Sequence, residues 1–213
     1  MSIGFATTTF APVVLGFFGL GTGYLIYGPQ ELFRFPERNT SVDRASGVWG
    51  IWLPGFCQFI TGVYLFVALA WFETLKEPAL YTAALAFSAY GIHWFAMGWN
   101  RYQGNDVRPN GLMSIPFTII SVLGMVVFFS ADSWPLGVLF AGLTGVYLSE
   151  IFASFRIGAR TRPVGGANEK APAVRNPGEL ALGFFHILTG LWLMYLTFAT
   201  TLNISLDYAL PSG

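Results

Sequence analysis

With 213 residues, 54% hydrophobic and only 10% charged side chains, the chain falls well below the roughly 25% charge of soluble domains and reads as an all-α integral membrane protein. Eleven Lys and Arg balance eleven Asp and Glu, which excludes a nucleic-acid interface built on net positive charge. A single cysteine, Cys57, excludes a disulfide within the chain and any CxxC redox or metal site.

Residues 1–10 carry no Lys or Arg, so the basic start of a secretory signal is missing and the first apolar run is expected to be a retained span. Crossing a hydrocarbon core of ~30 Å takes about 20 apolar residues. Six runs qualify, at 9–28, 47–72, 79–100, 112–130, 135–155 and 179–200. Lipid offers no partners to the backbone, so runs of this length are predicted helices. The longest connections, 29–46 and 156–178, read as loops, which leaves one six-helix transmembrane domain over 1–213.

The first run contains Gly19 and Gly23, a GxxxG pair that lets helix backbones approach closely in lipid and is read as a packing device. Thr22 lies between them. The second run holds Gly55, Gln58 and Gly62. An unpaired amide is costly in hydrocarbon, so Gln58 is expected either to bond across helices or to line a pore. The third run contains Phe87-Ser88-Ala89-Tyr90-Gly91-Ile92-His93-Trp94. Phe87, Tyr90 and Trp94 are three and four residues apart, so on a helix they form one aromatic stripe, expected to line the path of a small solute.

In the fifth run Thr144-Gly145-Val146-Tyr147-Leu148 repeats the letters of Thr61-Gly62-Val63-Tyr64-Leu65 in the second, which suggests two three-helix halves of opposite orientation. The fifth run also holds Glu150, the one charge internal to the six runs, since Glu179 only opens the sixth. Its place near the helix end predicts snorkelling or pairing with a loop arginine. The third and sixth runs contain His93 and His186.

Charge placement gives an orientation. The connections after the first, third and fifth helices carry Arg34, Arg38 and Arg44, then Arg101 and Arg108, then Arg156, Arg160, Arg162, Lys170 and Arg175. These are ten of the eleven basic residues, against Lys76 on the other side. The positive-inside rule then predicts a protein of the cytoplasmic (inner) membrane with both termini outside the cytoplasm.

No Asp, Glu, Lys or Arg lies at mid-span, so no proton relay or ion-coupled pump is expected. A bis-histidine haem would need His93 and His186 at matching depth and has no second signature. No nucleophile–base pair, phosphate loop or metal spacing is present, so no cofactor, no metal and no enzymatic activity are expected. What remains suits a small solute that is neutral, or an anion handled by hydroxyls, amides and helix dipoles.

Gly55-Phe56-Cys57-Gln58-Phe59-Ile60-Thr61-Gly62 and Ala86-Phe87-Ser88-Ala89-Tyr90-Gly91-Ile92-His93-Trp94 resemble the second- and third-helix motifs of the acetate uptake transporters, the succinate–acetate permeases. The run from Ala11 through Pro12, Leu15 and Gly16 resembles that family's Asn-Pro signature, with Ala11 in place of Asn and Val14 in place of a second Pro. His93 stands where the family has Phe. The resemblance covers the first three helices. It implies a six-helix protomer, assembled as a homohexamer in the bilayer, with a pore in each subunit for acetate or similar monocarboxylates. It also implies an apolar constriction at Leu20, Tyr90 and Leu143, with Gln58, Phe87, Ser88, His93, Trp94 and Thr22 beside the path. The connection at 99–111 and the run from Leu182-Gly183-Phe184-Phe185 resemble the urea and short-amide channels instead, which are also six-helix hexamers and have both termini outside the cytoplasm. A non-transporting accessory subunit of a membrane complex is the third reading.

Overall fold

The structure is a computed structural model that describes residues 11–158 and 176–202. Residues 1–10, 159–175 and 203–213, among them the basic residues Arg160, Arg162, Lys170 and Arg175 counted above, lie outside the described residues. Among the described residues every regular element is helical. Helix α1 spans Val14–Leu32 after a short 3-10 turn at Ala11–Val13. Helix α2 (Thr40–Gly50), a π segment (Ile51–Phe56) and helix α3 (Cys57–Ala70) run on as one continuous rod of 31 residues. Then come α4 (Ala79–Gln103), α5 (Arg108–Ser130), α6 (Trp134–Ser154) and α7 (Pro177–Leu202).

The expected helices are all found, with shifted boundaries. The α2–α3 rod begins seven residues before the expected run at Gly47, because Asn39 caps it: its side chain accepts from the N–H groups of Ser41 (2.9 Å) and Val42 (3.0 Å). Pro54 removes one backbone donor inside the rod, and the chain takes up the defect as the π segment. Helix α1 runs four residues past the expected end at Gly28, through Pro29, and so takes Glu31 into the bundle.

Four of these rods are long and apolar enough to cross a membrane: Thr40–Ala70, Arg108–Ser130, Trp134–Ser154 and Pro177–Thr201. Their outward faces are apolar too. On α5, Leu112, Ile115, Ile119, Leu123 and Val126 recur every three or four residues and are exposed, the inverse of a soluble protein's surface. The chain is a multi-pass membrane protein.

Small residues set the helix spacing. A Cβ on Gly23 would lie 2.6 Å from Pro54 Cγ, and one on Gly62 would lie 2.6 Å from the Ser88 backbone nitrogen. The GxxxG face of α1 therefore seats on the π segment, and Gly62 seats α3 on α4, as packing devices do in lipid. The repeated letters meet different surroundings in their two helices. Val63 is exposed and Leu65 buried, whereas Val146 is buried and Leu148 exposed. The shared letters do not mark equivalent faces.

One end of the bundle is polar. There the Arg101 guanidinium lies 3.1 Å from the Asp43 carboxylate and 4.1 Å from the centre of the Tyr27 ring, and it also donates to Gln30 Oε1. Arg38 bonds the same Asp43 at 2.9 Å, and Asn176 Nδ2 donates to the Ala153 carbonyl at 2.9 Å. Between α4 and α5, the adjacent Arg108 holds the Asp106 carboxyl down to about 2.

Candidate functional site

Three helices present inward rows with a strict four–three spacing. On α1 the row is Val13, Phe17, Leu20, Tyr24, Tyr27 and Glu31; on α4 it is Ala83, Phe87, Tyr90 and Trp94; on α6 it is Leu136, Phe140, Leu143, Tyr147 and Glu150. This spacing keeps each row on one face of its helix. In each row the half nearer the polar end is aromatic and polar, and the other half is almost wholly apolar.

The apolar halves line a narrow cavity of about 20 Å³, room for about one water molecule. Its walls are Val13, Phe17 and Leu20 from α1, then Ala83, Ala86, Phe87 and Tyr90 from α4, and Leu136, Leu139, Phe140 and Leu143 from α6. Helix α3 contributes Gln58. Phe17 and Phe87 pack at 5.7 Å between ring centres. Leu20, Tyr90 and Leu143 close the inner end, each 2% exposed or less.

Gln58 is fully buried, and neither its Nε2 nor its Oε1 has a hydrogen-bond partner. The sequence leaves interhelical bonding and pore lining open for this residue; the amide makes no interhelical bond and borders the cavity. Tyr90 is different. Ser121 Oγ already donates to the Phe117 carbonyl at 2.7 Å, so the Tyr90 hydroxyl donates to Ser121 Oγ at 2.8 Å. That bond pins the ring, which also packs on Phe117 (5.4 Å) and Tyr147 (5.0 Å).

Five of the nine residues singled out from sequence therefore meet at one cavity: Leu20, Gln58, Phe87, Tyr90 and Leu143. The other four do not line it. Ser88 packs on Gly62. Thr22 turns its hydroxyl back to the Phe18 carbonyl at 2.8 Å. Trp94 wedges against Tyr24 (5.8 Å) and Tyr27 (5.1 Å), on the polar side of Leu20, Tyr90 and Leu143. His93 lies beside Phe117 and Tyr147.

The expectation for Glu150 is corrected. It does not snorkel, and among the described residues it meets no arginine: it is buried, with Oε2 lying 3.7 Å from His93 Nε2. A second such pair had no counterpart in the sequence reading, Glu31 Oε2 with His186 Nδ1 at 2.6 Å. Its signal was present in the spacing, since Glu31 continues the row from Leu20 through Tyr24 and Tyr27 by one more step of four.

The sequence matches no family model and no curated protein. By structure, the chain aligns with the solved structure of the bacterial acetate channel SatP at a TM-score of 0.66, over 95% of this chain and 98% of that one. The two share a fold. Sequence identity between them is 14%, so the SatP fold has been kept here on a largely different set of side chains. The fold implied by the two helix motifs is the fold found.

Proposed function

We propose that this protein is a divergent acetate uptake transporter, a channel or facilitative transporter that passes small monocarboxylates such as acetate, and not an enzyme. In this reading six helices span the cytoplasmic membrane as two three-helix halves of opposite orientation. Each half then ends on a helix with a buried histidine, His93 on α4 and His186 on α7. Each protomer of a homohexamer carries its own pore.

The observation that carries the reading is the unpartnered Gln58 amide beside the constriction. Leu20, Tyr90 and Leu143 strip water from the solute, and an apolar wall alone would make that loss prohibitive. Gln58 offsets part of it, donating from Nε2 to a carboxyl oxygen of the solute or accepting at Oε1. A single weak site lets the solute leave again, as conduction requires. The SatP fold supports the same class of function.

A urea or short-amide channel is the second reading, favoured by one observation: the described arginines 34, 38, 44, 101, 108 and 156 all fall at the ends of helices on one side of the bundle. The test is uptake of labelled acetate, succinate and urea into proteoliposomes, with Tyr90→Ala beside the wild type. Acetate uptake that rises in Tyr90→Ala is the expected result, with succinate reporting the width of the opening. Urea uptake without acetate selects the amide channel. If no solute enters and Tyr90→Ala changes nothing, the accessory-subunit reading replaces both.

A further inference from the structure

On the polar side of the constriction the interior is built from two acid–base pairs. His93 with Glu150 joins α4 to α6, and His186 with Glu31 joins α7 to α1; the four side chains are 9% exposed or less. Two tyrosines lie between the pairs. The Tyr24 ring centre is 4.5 Å from that of His186, and the Tyr147 ring centre is 5.7 Å from that of His93. Their hydroxyls face one another, and neither reaches a partner with hydrogen-bond geometry.

Each pair holds one acid and one base. With one proton between them, on the imidazole or on the carboxyl, the pair carries no net charge, and with none it carries one negative charge; neither state compensates an anion. The groups that face the first pair are Tyr24, Tyr147 and, from α5, Phe117. Those that face the second are Tyr24 and Tyr27, with Arg38 and Glu179 farther out. Arg101 lies two turns beyond His93 and is engaged by Asp43 and Gln30. Among the described residues no cation stands at the depth of the tyrosines. A bare carboxylate arriving there would meet two carboxyl groups and no compensating charge for its lost hydration. An uncharged molecule with both a donor and an acceptor meets two unsatisfied hydroxyls that can supply the complement of each.

We infer that the two His–Glu pairs and the Tyr24 and Tyr147 hydroxyls form a charge filter, which accepts a small uncharged solute bearing a donor and an acceptor and excludes its anion. An undissociated carboxylic acid and a primary amide share that chemistry. The inference rests on the channel reading above and names the charge state of the solute that passes.

The test is uptake of labelled acetate and acetamide into proteoliposomes under an imposed potential, with protein-free vesicles subtracted. Acetate uptake through the protein should ignore the potential and follow the undissociated fraction, falling about tenfold per pH unit above the pKa of the carboxylic acid. Acetamide uptake should ignore both variables, and acetamide passing without acetate would assign the filter to amides. In the double variant Glu31→Gln, Glu150→Gln the imidazoles lose their acids and can hold uncompensated protons, so acetate uptake should become sensitive to potential. Wild-type acetate uptake that shifts with potential, by roughly fiftyfold per 100 mV for a single charge, overturns the filter and leaves the channel standing. That result needs no variant to fold. Uptake of neither solute overturns the channel reading and the filter together.

Discussion

A buried polar group left without a partner costs about 1–3 kcal/mol, and the Gln58 side chain has two such atoms. Leucine has nearly the same volume and no unmet hydrogen bonds. Gln58→Leu is therefore expected to melt at the same temperature as the wild type or higher, corresponding to a gain of up to about 1–3 kcal/mol, while solute uptake falls at least about tenfold, the effect of losing one hydrogen bond to the solute. A drop in melting temperature with uptake intact would make the amide a structural group and remove it from the path. Much at this scale was legible in the chain. Leu20, Tyr90 and Leu143 came from motif resemblance, and Phe87 and Tyr90 also from their spacing. The His–Glu pairs were not legible, because His93 and Glu150 lie 57 positions apart and only packing brings them together. Glu150 was misread because its distance from the helix end outweighed its phase: it lies seven residues after Leu143 and three after Tyr147, on the inward face.

At the scale of the element, the junction of α3 with α4 fixes where Gln58 and Tyr90 stand relative to one another. Gly62 lies one turn from Gln58, and Ser88 lies two residues before Tyr90. The contact between Gly62 and Ser88 involves the backbone, which cannot swing aside as a side-chain tip would. Gly62→Val is expected to force the helices apart and destabilise the protein by about 1–3 kcal/mol, the usual cost of overpacking, with uptake altered alongside. Thermal unfolding in detergent and the uptake assay measure the two effects, and an unchanged melting temperature would contradict the contact. Helix existence was plain from run length, whereas helix starts were not. The first turn of the rod, with Ser41, Asp43 and Arg44, is too polar to register as membrane-spanning and is ordered by Asn39 instead. The repeated Thr-Gly-Val-Tyr-Leu letters do not by themselves say which face each helix turns inward: Val63 is exposed where Val146 is buried.

For the whole molecule, composition and hydropathy were enough to give an all-helical bundle, since a lipid solvent permits few alternatives. The order in which helices touch, with α1 against α7 and α5 against α6, could not be read from one chain. Arg38, Arg101 and Asp43 knit the polar end across α1, α2 and α4. If the basic residues set the orientation, tags on both termini should react with membrane-impermeant reagents from outside intact cells. Labelling only after the membrane is opened would reverse the orientation, and with it the side on which the apolar cavity opens.

The four–three rows have a geometric consequence. Their period is 3.5 residues, while a straight helix turns every 3.6, so a row drifts by ~20° in each seven residues. From Val13 to Glu31 the accumulated drift is about 50°. A path that stays lined by these rows must wind with a left-handed twist as it passes from the cavity to the His–Glu pairs. One residue inserted into α1 between Leu20 and Tyr24 would turn everything beyond it by about 100°, carrying Tyr24, Tyr27 and Glu31 off the path and leaving Phe17 and Leu20 in place. The apolar and polar halves of these inward rows are thus held in phase by chain length alone.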